Sequence, residues 1–115
     1  MTLNPSVVSV TKVGAGTLTA ANLLTTNILR SGPVGAFADT LDTAANIATA
    51  AFVGASWVVR YVNNSSSTGT LTAGTGVTLA GASAAIPANS LAVLLVTVVS
   101  PTAVTVTVIY RSSVT

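Results

Sequence analysis

The sequence runs to 115 residues, is half apolar, and carries four bases against two acids. That length suits one domain with a self-sufficient core. The absence of cysteine, histidine and glutamate removes disulfides, thiolate nucleophiles and the commonest general base, so no enzyme activity, cofactor or metal centre is expected.

Residues 6–13 form a β-branched run that Gly14-Ala15-Gly16 ends, which predicts a first strand and a turn. Residues 17–20 and 22–30 have leucines at spacings open to helix or strand. Their threonines and the break at Ser31-Gly32-Pro33 favour two short strands. Residues 37–52 read as the one helix, centred on 41–52. Asp39, Thr40 or Asp42 would cap its start, and Leu41, Ala45, Ala48 and Phe52 would form its buried face. Gly54 would stop it. Its outer face would hold Thr43, Asn46, Ile47 and Ala50, with Ile47 apolar enough to meet a partner. Asp39 and Asp42 could share a hard cation at their i, i+3 spacing, but capping accounts for them.

The rest predicts strands. In residues 56–62, Trp57, Val59 and Tyr61 make the better core face. Residues 68–73 and 77–79 flank Gly74-Thr75-Gly76 as in a hairpin. Ile86-Pro87-Ala88-Asn89 fits a type I turn. Residues 91–99 are apolar on both faces, as in a strand buried on both sides. Residues 104–111 alternate, with Val104, Val106, Val108 and Tyr110 inward and Ile109 an apolar exception outside. Twenty uncharged residues, 90–109, resemble a membrane span in hydropathy. Pro101 and the period-two Val/Thr pattern argue for strands, so no membrane partner is expected. No exact internal repeat is expected. Together these elements predict a mainly β domain over residues 1–115, an antiparallel β-sandwich of jelly-roll type with one short helix. Extended arms are expected at 1–5 and 112–115.

Charge suggests partners. Only 5% of residues are charged, against about 25% in ordinary domains. The bases are scattered singly, so no basic stripe awaits nucleic acid. A surface so short of charge is poorly solvated and is expected to be covered by copies of the chain or by a larger partner. Arg30, Arg60 and Arg111 are then natural anchors for an acidic surface, and Tyr110 suits an interface rim.

The order Arg30-Ser31-Gly32-Pro33, Asp39-Thr40-Leu41-Asp42-Thr43-Ala44-Ala45-Asn46-Ile47, the aromatic strand Trp57 to Tyr61, Thr70-Leu71-Thr72-Ala73-Gly74-Thr75-Gly76-Val77-Thr78-Leu79 and Ile86-Pro87-Ala88-Asn89-Ser90 resembles small structural proteins of tailed bacteriophages. It is most similar to head decoration, or cement, proteins. The resemblance implies a jelly-roll-like protein on the outer surface of the capsid. There it would join neighbouring major capsid proteins and meet copies of itself, as a dimer or trimer, at local symmetry axes. It implies no catalytic residues. Similar text occurs in tail, fibre and baseplate proteins, so a host-contact module is the alternative. Trp57, Tyr61 and Tyr110 exposed in a row would favour it.

Overall fold

A computed structural model describes residues 6–81 and 84–113, the last four by backbone alone. In chain order the elements are β1 (Val7–Thr11), β2 (Gly16–Leu18), α1 (Ala20–Leu23), β3 (Asn27–Ser31), β4 (Phe37–Leu41), α2 (Ala44–Ala50), β5 (Ser56–Asn63), β6 (Gly69–Thr72), β7 (Val77–Gly81), β8 (Ala85–Ile86), β9 (Ser90–Ser100) and β10 (Ala103–Ser113). The protein is mainly β, as its composition predicts.

The strands form a six-stranded sheet, β1-β3-β5-β9-β10-β7, and a four-stranded sheet, β2-β4-β6-β8. The expected antiparallel pattern holds for β5 with β9, β9 with β10 and β6 with β8. The other pairings are parallel. For all of these but the β7–β10 pair at the far edge, the reason is a coiled path. The chain lays a strand in the large sheet, turns a corner into the small sheet, and returns through a short helix to begin again. Thus β1, β3 and β5 stack in parallel, as do β2, β4 and β6. The β9–β10 hairpin, turned at Pro101-Thr102, then ends the stack on the large sheet.

The coils carry a repeat that was not expected. Thr19-Ala20-Ala21-Asn22-Leu23 and Thr43-Ala44-Ala45-Asn46-Ile47 differ only at the last residue and start equivalent helices. The Thr19 and Thr43 hydroxyls accept from the backbone N–H of Asn22 and Asn46, each at 3.2 Å. A threonine N-cap satisfies a donor that the first turn leaves free. The Asn22 side chain returns the favour by accepting from the Thr19 N–H at 2.9 Å.

This cap corrects the sequence reading of residues 37–52. Residues 37–41 are a strand, with Phe37, Asp39 and Leu41 buried in alternation. The helix is confined to Ala44–Ala50, and its cap is Thr43, not an aspartate. Its buried face is Ala44 and Ile47. Phe52 lies beyond the helix end and is 69% exposed, so it anchors nothing in the core. Residues 20–23 are likewise helix, and the strand expected over 22–30 begins only at Asn27.

One core joins the two sheets. Leu18, Leu41, Leu71 and Ile86 come from the small sheet. Ile28, Val59, Tyr61, Ala92, Leu94, Val96, Val104, Val106 and Val108 come from the large one, and Leu23, Ala44 and Ile47 from the helices. The aromatic side of β5 therefore faces inward, as expected, with Trp57 half-buried.

Three further expectations change. The strands flanking Gly74-Thr75-Gly76 do not form a hairpin, because β6 and β7 lie in different sheets. The loop crosses beneath the start of α2, where the Ala44 N–H donates to Thr75 O at 2.8 Å. A Cβ on Gly74 would sit 2.3 Å from Leu41 O, so only glycine fits this passage. β9 is buried on its Ala92, Leu94, Val96 and Val98 side only. Its Leu91, Val93 and Leu95 side is half-buried, because α2 joins the core and leaves the outer face uncovered. The tail expected at 112–115 begins inside β10, where Ser112 and Ser113 pair with Leu91 and Ser90. The arm expected at 1–5 lies outside the described residues.

Candidate functional site

Two places stand out, and of the expected contacts whose side chains are described only Arg30 lies in either. One is sealed and the other open. The sealed place is built around Arg30 on β3 and Asp39 on β4. Both are fully buried. The Arg30 Nε donates to Asp39 Oδ2 at 2.8 Å and Oδ1 at 3.1 Å. Its Nη1 donates to the carbonyls of Lys12 and Ser31 at 3.0 and 2.9 Å, and its Nη2 to that of Gly14. The guanidinium also lies over the Phe37 ring, 4.7 Å from its centroid. Asp39 further accepts from the Gly16 N–H at 3.2 Å and the Tyr61 hydroxyl at 2.6 Å. Buried charge is tolerated only with this degree of pairing. Among the described residues no buried side-chain polar atom lacks a partner.

The cluster has a structural task. Arg30 gathers carbonyls from the loop between β1 and β2 and ties that loop to the second coil. Arg30 therefore cannot be the partner contact the sequence suggested, and Asp39 is not a helix cap. Burial, reinforced by the Asp39 carboxylate, pushes the Tyr61 hydroxyl far above its usual ionisation range. The phenol remains a neutral donor.

Asp42 acts differently. Its Oδ2 accepts from the Ala20 N–H at 2.8 Å, at the start of α1. Its Oδ1 accepts from the Thr43 N–H at 2.7 Å and the Asn46 side chain at 2.8 Å, at the start of α2. One carboxylate thus links the first turns of both helices. Burial works against its charge, but the hydrogen bonds from Asn46, Ala20 and Thr43 outweigh it and hold the carboxyl below its ordinary value. Asp39 and Asp42 do not share a helix face. Among the described residues no group of three potential metal ligands occurs.

The open place is at the C-terminal ends of the helices. A cleft of about 560 Å³ lies between Leu24, Ala51, Phe52, Trp57 and Val58. Phe52 is 69%, Val58 48% and Leu24 45% exposed. Trp57 is fixed as a wall by its Nε1–H, which donates to Leu23 O at 2.7 Å. The hydroxyls of Thr25 and Ser56 in the lining are engaged with Asn22 and Thr97. The cleft carries no charged side chain. It offers apolar contact and shape, with no acid, base or nucleophile.

The remaining expected contacts divide. Arg60 is exposed on the outer face of the large sheet. Ile47, expected on the outer face of the helix, is 1% exposed and belongs to the core, because the helix starts at Thr43 and turns that side inward. On β10, Tyr110 pairs with Val93 and Arg111 with Ala92, but their side chains lie outside what is described. Tyr61 is buried and Trp57 half-buried, so these two do not form an exposed aromatic row. The cleft was missed because Phe52 was assigned to the helix face. The repeated Thr-Ala-Ala-Asn would have placed the cap at Thr43 and the phenylalanine past the last turn.

No family model, curated protein or solved structure matches the chain. Among the described residues no helix is long and apolar enough to cross a membrane, and residues 90–109 form the β9–β10 hairpin.

Proposed function

We propose that this chain is a structural protein of a virion. It binds the outside of a phage head, joins neighbouring major capsid proteins and stiffens the shell, with copies meeting at local symmetry axes. The observation that supports this most is the cluster of solvent-facing apolar side chains around the cleft: Phe52, Leu24 and Val58, with Val53 beside them. Side chains of this size, gathered on a rigid β body with no charge among them, mark a surface that a partner covers. The internal chemistry agrees, since both carboxylates are spent on the fold. The two sheets serve as a sandwich in the broad sense of two layers on one core. The jelly-roll connectivity implied by the resemblance is not part of this proposal. The tail or host-contact alternative is not carried further, because Trp57 and Tyr61 give it no exposed aromatic row.

The test is co-sedimentation of the purified chain with empty heads assembled from the major capsid protein of the same genome. Saturable binding at a ratio fixed by the capsid lattice, with heads that withstand more heating, is the expected result. A monodisperse monomer that stays in the supernatant at every concentration overturns the reading.

A further inference from the structure

Among the described residues nothing covers the outer face of the six-stranded sheet. Cross-strand register sets its composition. Arg60 pairs with Asn27 on one side and Val93 on the other. Val62 pairs with Leu29 and Leu91, and Val58 with Leu95. Paired residues point to the same side of a sheet, as do residues two apart on a strand. Arg60 therefore stands beside Asn27 and among Val58, Val62, Val93, Leu29, Leu91 and Leu95. The alternation of burial agrees, since Val59, Tyr61, Ala92 and Leu94 point into the core. Among the described residues no hydrogen bond or ion pair holds the Arg60 guanidinium. Single exposed apolar residues are ordinary. Among the described side chains this is a single arginine in a largely apolar field, the composition of an interface centre, where arginine is enriched and other charges are depleted.

We propose that this face is a docking surface for a different protein, one presenting an apolar patch with a carboxylate opposite Arg60. Charge complementarity decides the occupant. A second copy of this chain could match the apolar field but could not supply the side-chain anion. Its two aspartates are committed, Asp39 in the buried ion pair and Asp42 to the helix starts. Placing two such faces together would also bring two Arg60 cations into one poorly solvated interface, where like charges repel strongly. A phosphate-rich surface is a poor match as well, because nucleic acids and anionic membranes are held by several cations together. A planar guanidinium above apolar side chains instead suits bidentate pairing with one carboxylate that becomes desolvated on docking. In the head-binding reading, on which only the partner's name rests, this face meets the major capsid protein. Apolar burial holds it there and the ion pair sets its register.

The experiment compares wild type with Arg60→Glu, Arg60→Lys, Leu95→Asp and, as a charge control, Lys12→Glu. All three positions face solvent or the outer side of the sheet, and thermal melts establish that each variant is folded. Two probes are used. One is the empty heads described above. The other is a pair of synthetic peptides that place leucines beside either glutamate or lysine, read by fluorescence anisotropy. The proposal expects Arg60→Glu and Leu95→Asp to weaken head binding by at least about tenfold. Lys12→Glu should have little effect, Arg60→Lys an intermediate one, and the glutamate peptide should bind better than the lysine peptide. Head binding that survives Arg60→Glu and Leu95→Asp overturns the docking face but leaves the head reading standing. Failure of wild type to bind heads, with Arg60-dependent binding of the glutamate peptide, overturns the head reading and keeps the face. Self-association that Leu95→Asp abolishes while Arg60→Glu does not would assign the face to a second copy and overturn the proposal. Binding to neither probe overturns it too.

Discussion

Arg30, Asp39 and Tyr61 show how a charge-poor chain spends the few charges it has. Two of its six charged residues form one buried pair, and that pair ties the β1–β2 loop to the second coil. A buried pair replaced as a unit by apolar groups can be nearly neutral, but removing one partner strands the other. Here Arg30→Met would leave the Asp39 carboxylate facing only the Gly16 N–H and the Tyr61 hydroxyl, and the Lys12, Gly14 and Ser31 carbonyls without their donor. The expected loss is roughly 3–5 kcal/mol, measured by urea denaturation. A loss below about 1 kcal/mol, the scale of a surface pair, would contradict this account. Asp42 gives a pH signature. Its folded-state carboxyl is held below its ordinary value, so the group contributes stability above the unfolded pKa of roughly 4 and loses it as pH falls through the lower folded value. Wild type should therefore be destabilised on acidification below about pH 4, and Asp42→Asn should flatten that part of the curve. Denaturation midpoints taken between neutral pH and pH 2.5 check it. Parallel curves for the two proteins would mean that the carboxylate does not link the helices.

At the scale of elements, α2 shows what was legible and what was not. Its existence was readable from Ala44 to Ala50, where alanine-rich sequence follows a threonine cap. Its start was misread because Asp39 and Asp42 looked like caps, and local sequence does not report that β4 pairs with β2 and β6 on either side. The alternation of Phe37, Asp39 and Leu41 was the available signal, and the polar Asp39 hid it. Parallel pairing was illegible for a similar reason. Period two shows that a segment is a strand and which side is buried, not which strand it meets. The inward sides of β5 and, from Val104 to Val108, of β10 were accordingly foreseen, while the coil path and the register shift before Tyr110 were not. Of the expected contacts whose side chains are described, only Arg60 emerges exposed; Ile47 was placed outside by a helix boundary that shifted, and Arg30 is drawn inside by its pairing with Asp39. This yields a contrast between a residue of α2 and one just past its end. Ile47→Ala should cost roughly 2–4 kcal/mol, since it empties a buried site. Phe52→Ser, five residues later and exposed, should change stability by about 0.5 kcal/mol or less while weakening association with heads. Thermal melts and co-sedimentation on the same samples separate the two effects. A stability loss at Phe52 equal to that at Ile47 would restore Phe52 as a core anchor.

For the whole molecule, the architecture is a short stack of coils ended by a long hairpin. In stacked-coil proteins each unit is stabilised mainly by its neighbours, so the inner strands β5 and β9 should be the most protected and the edge strand β1 the least. β9 is central because it pairs with β5 on one side and β10 on the other, closing the parallel stack with an antiparallel seam. Its two faces have opposite roles. Leu94 is fully buried, whereas Leu95, the next residue, is half-buried on the outer side and paired with Val58 and Thr107. An aspartate at 94 would place an unpaired charge in the core, a penalty comparable with the whole stability of a small domain. An aspartate at 95 can turn its carboxylate toward water, beside Arg60 two residues beyond Val58 on the adjoining strand. Leu94→Asp is therefore expected to be unfolded by circular dichroism. Leu95→Asp should melt cooperatively within a few degrees of wild type, about the shift that a surface change of less than 1 kcal/mol gives in a domain of this size. In native-state hydrogen exchange, Leu95→Asp should keep the order of protection, with β5 and β9 slowest and β1 fastest. If both variants unfold, the outer face is as deeply packed as the core, and the sheet cannot offer an open surface to a partner. If Leu95→Asp folds and keeps its exchange pattern, the body is rigid without that face, and its leucines and valines are free for a contact beyond the chain.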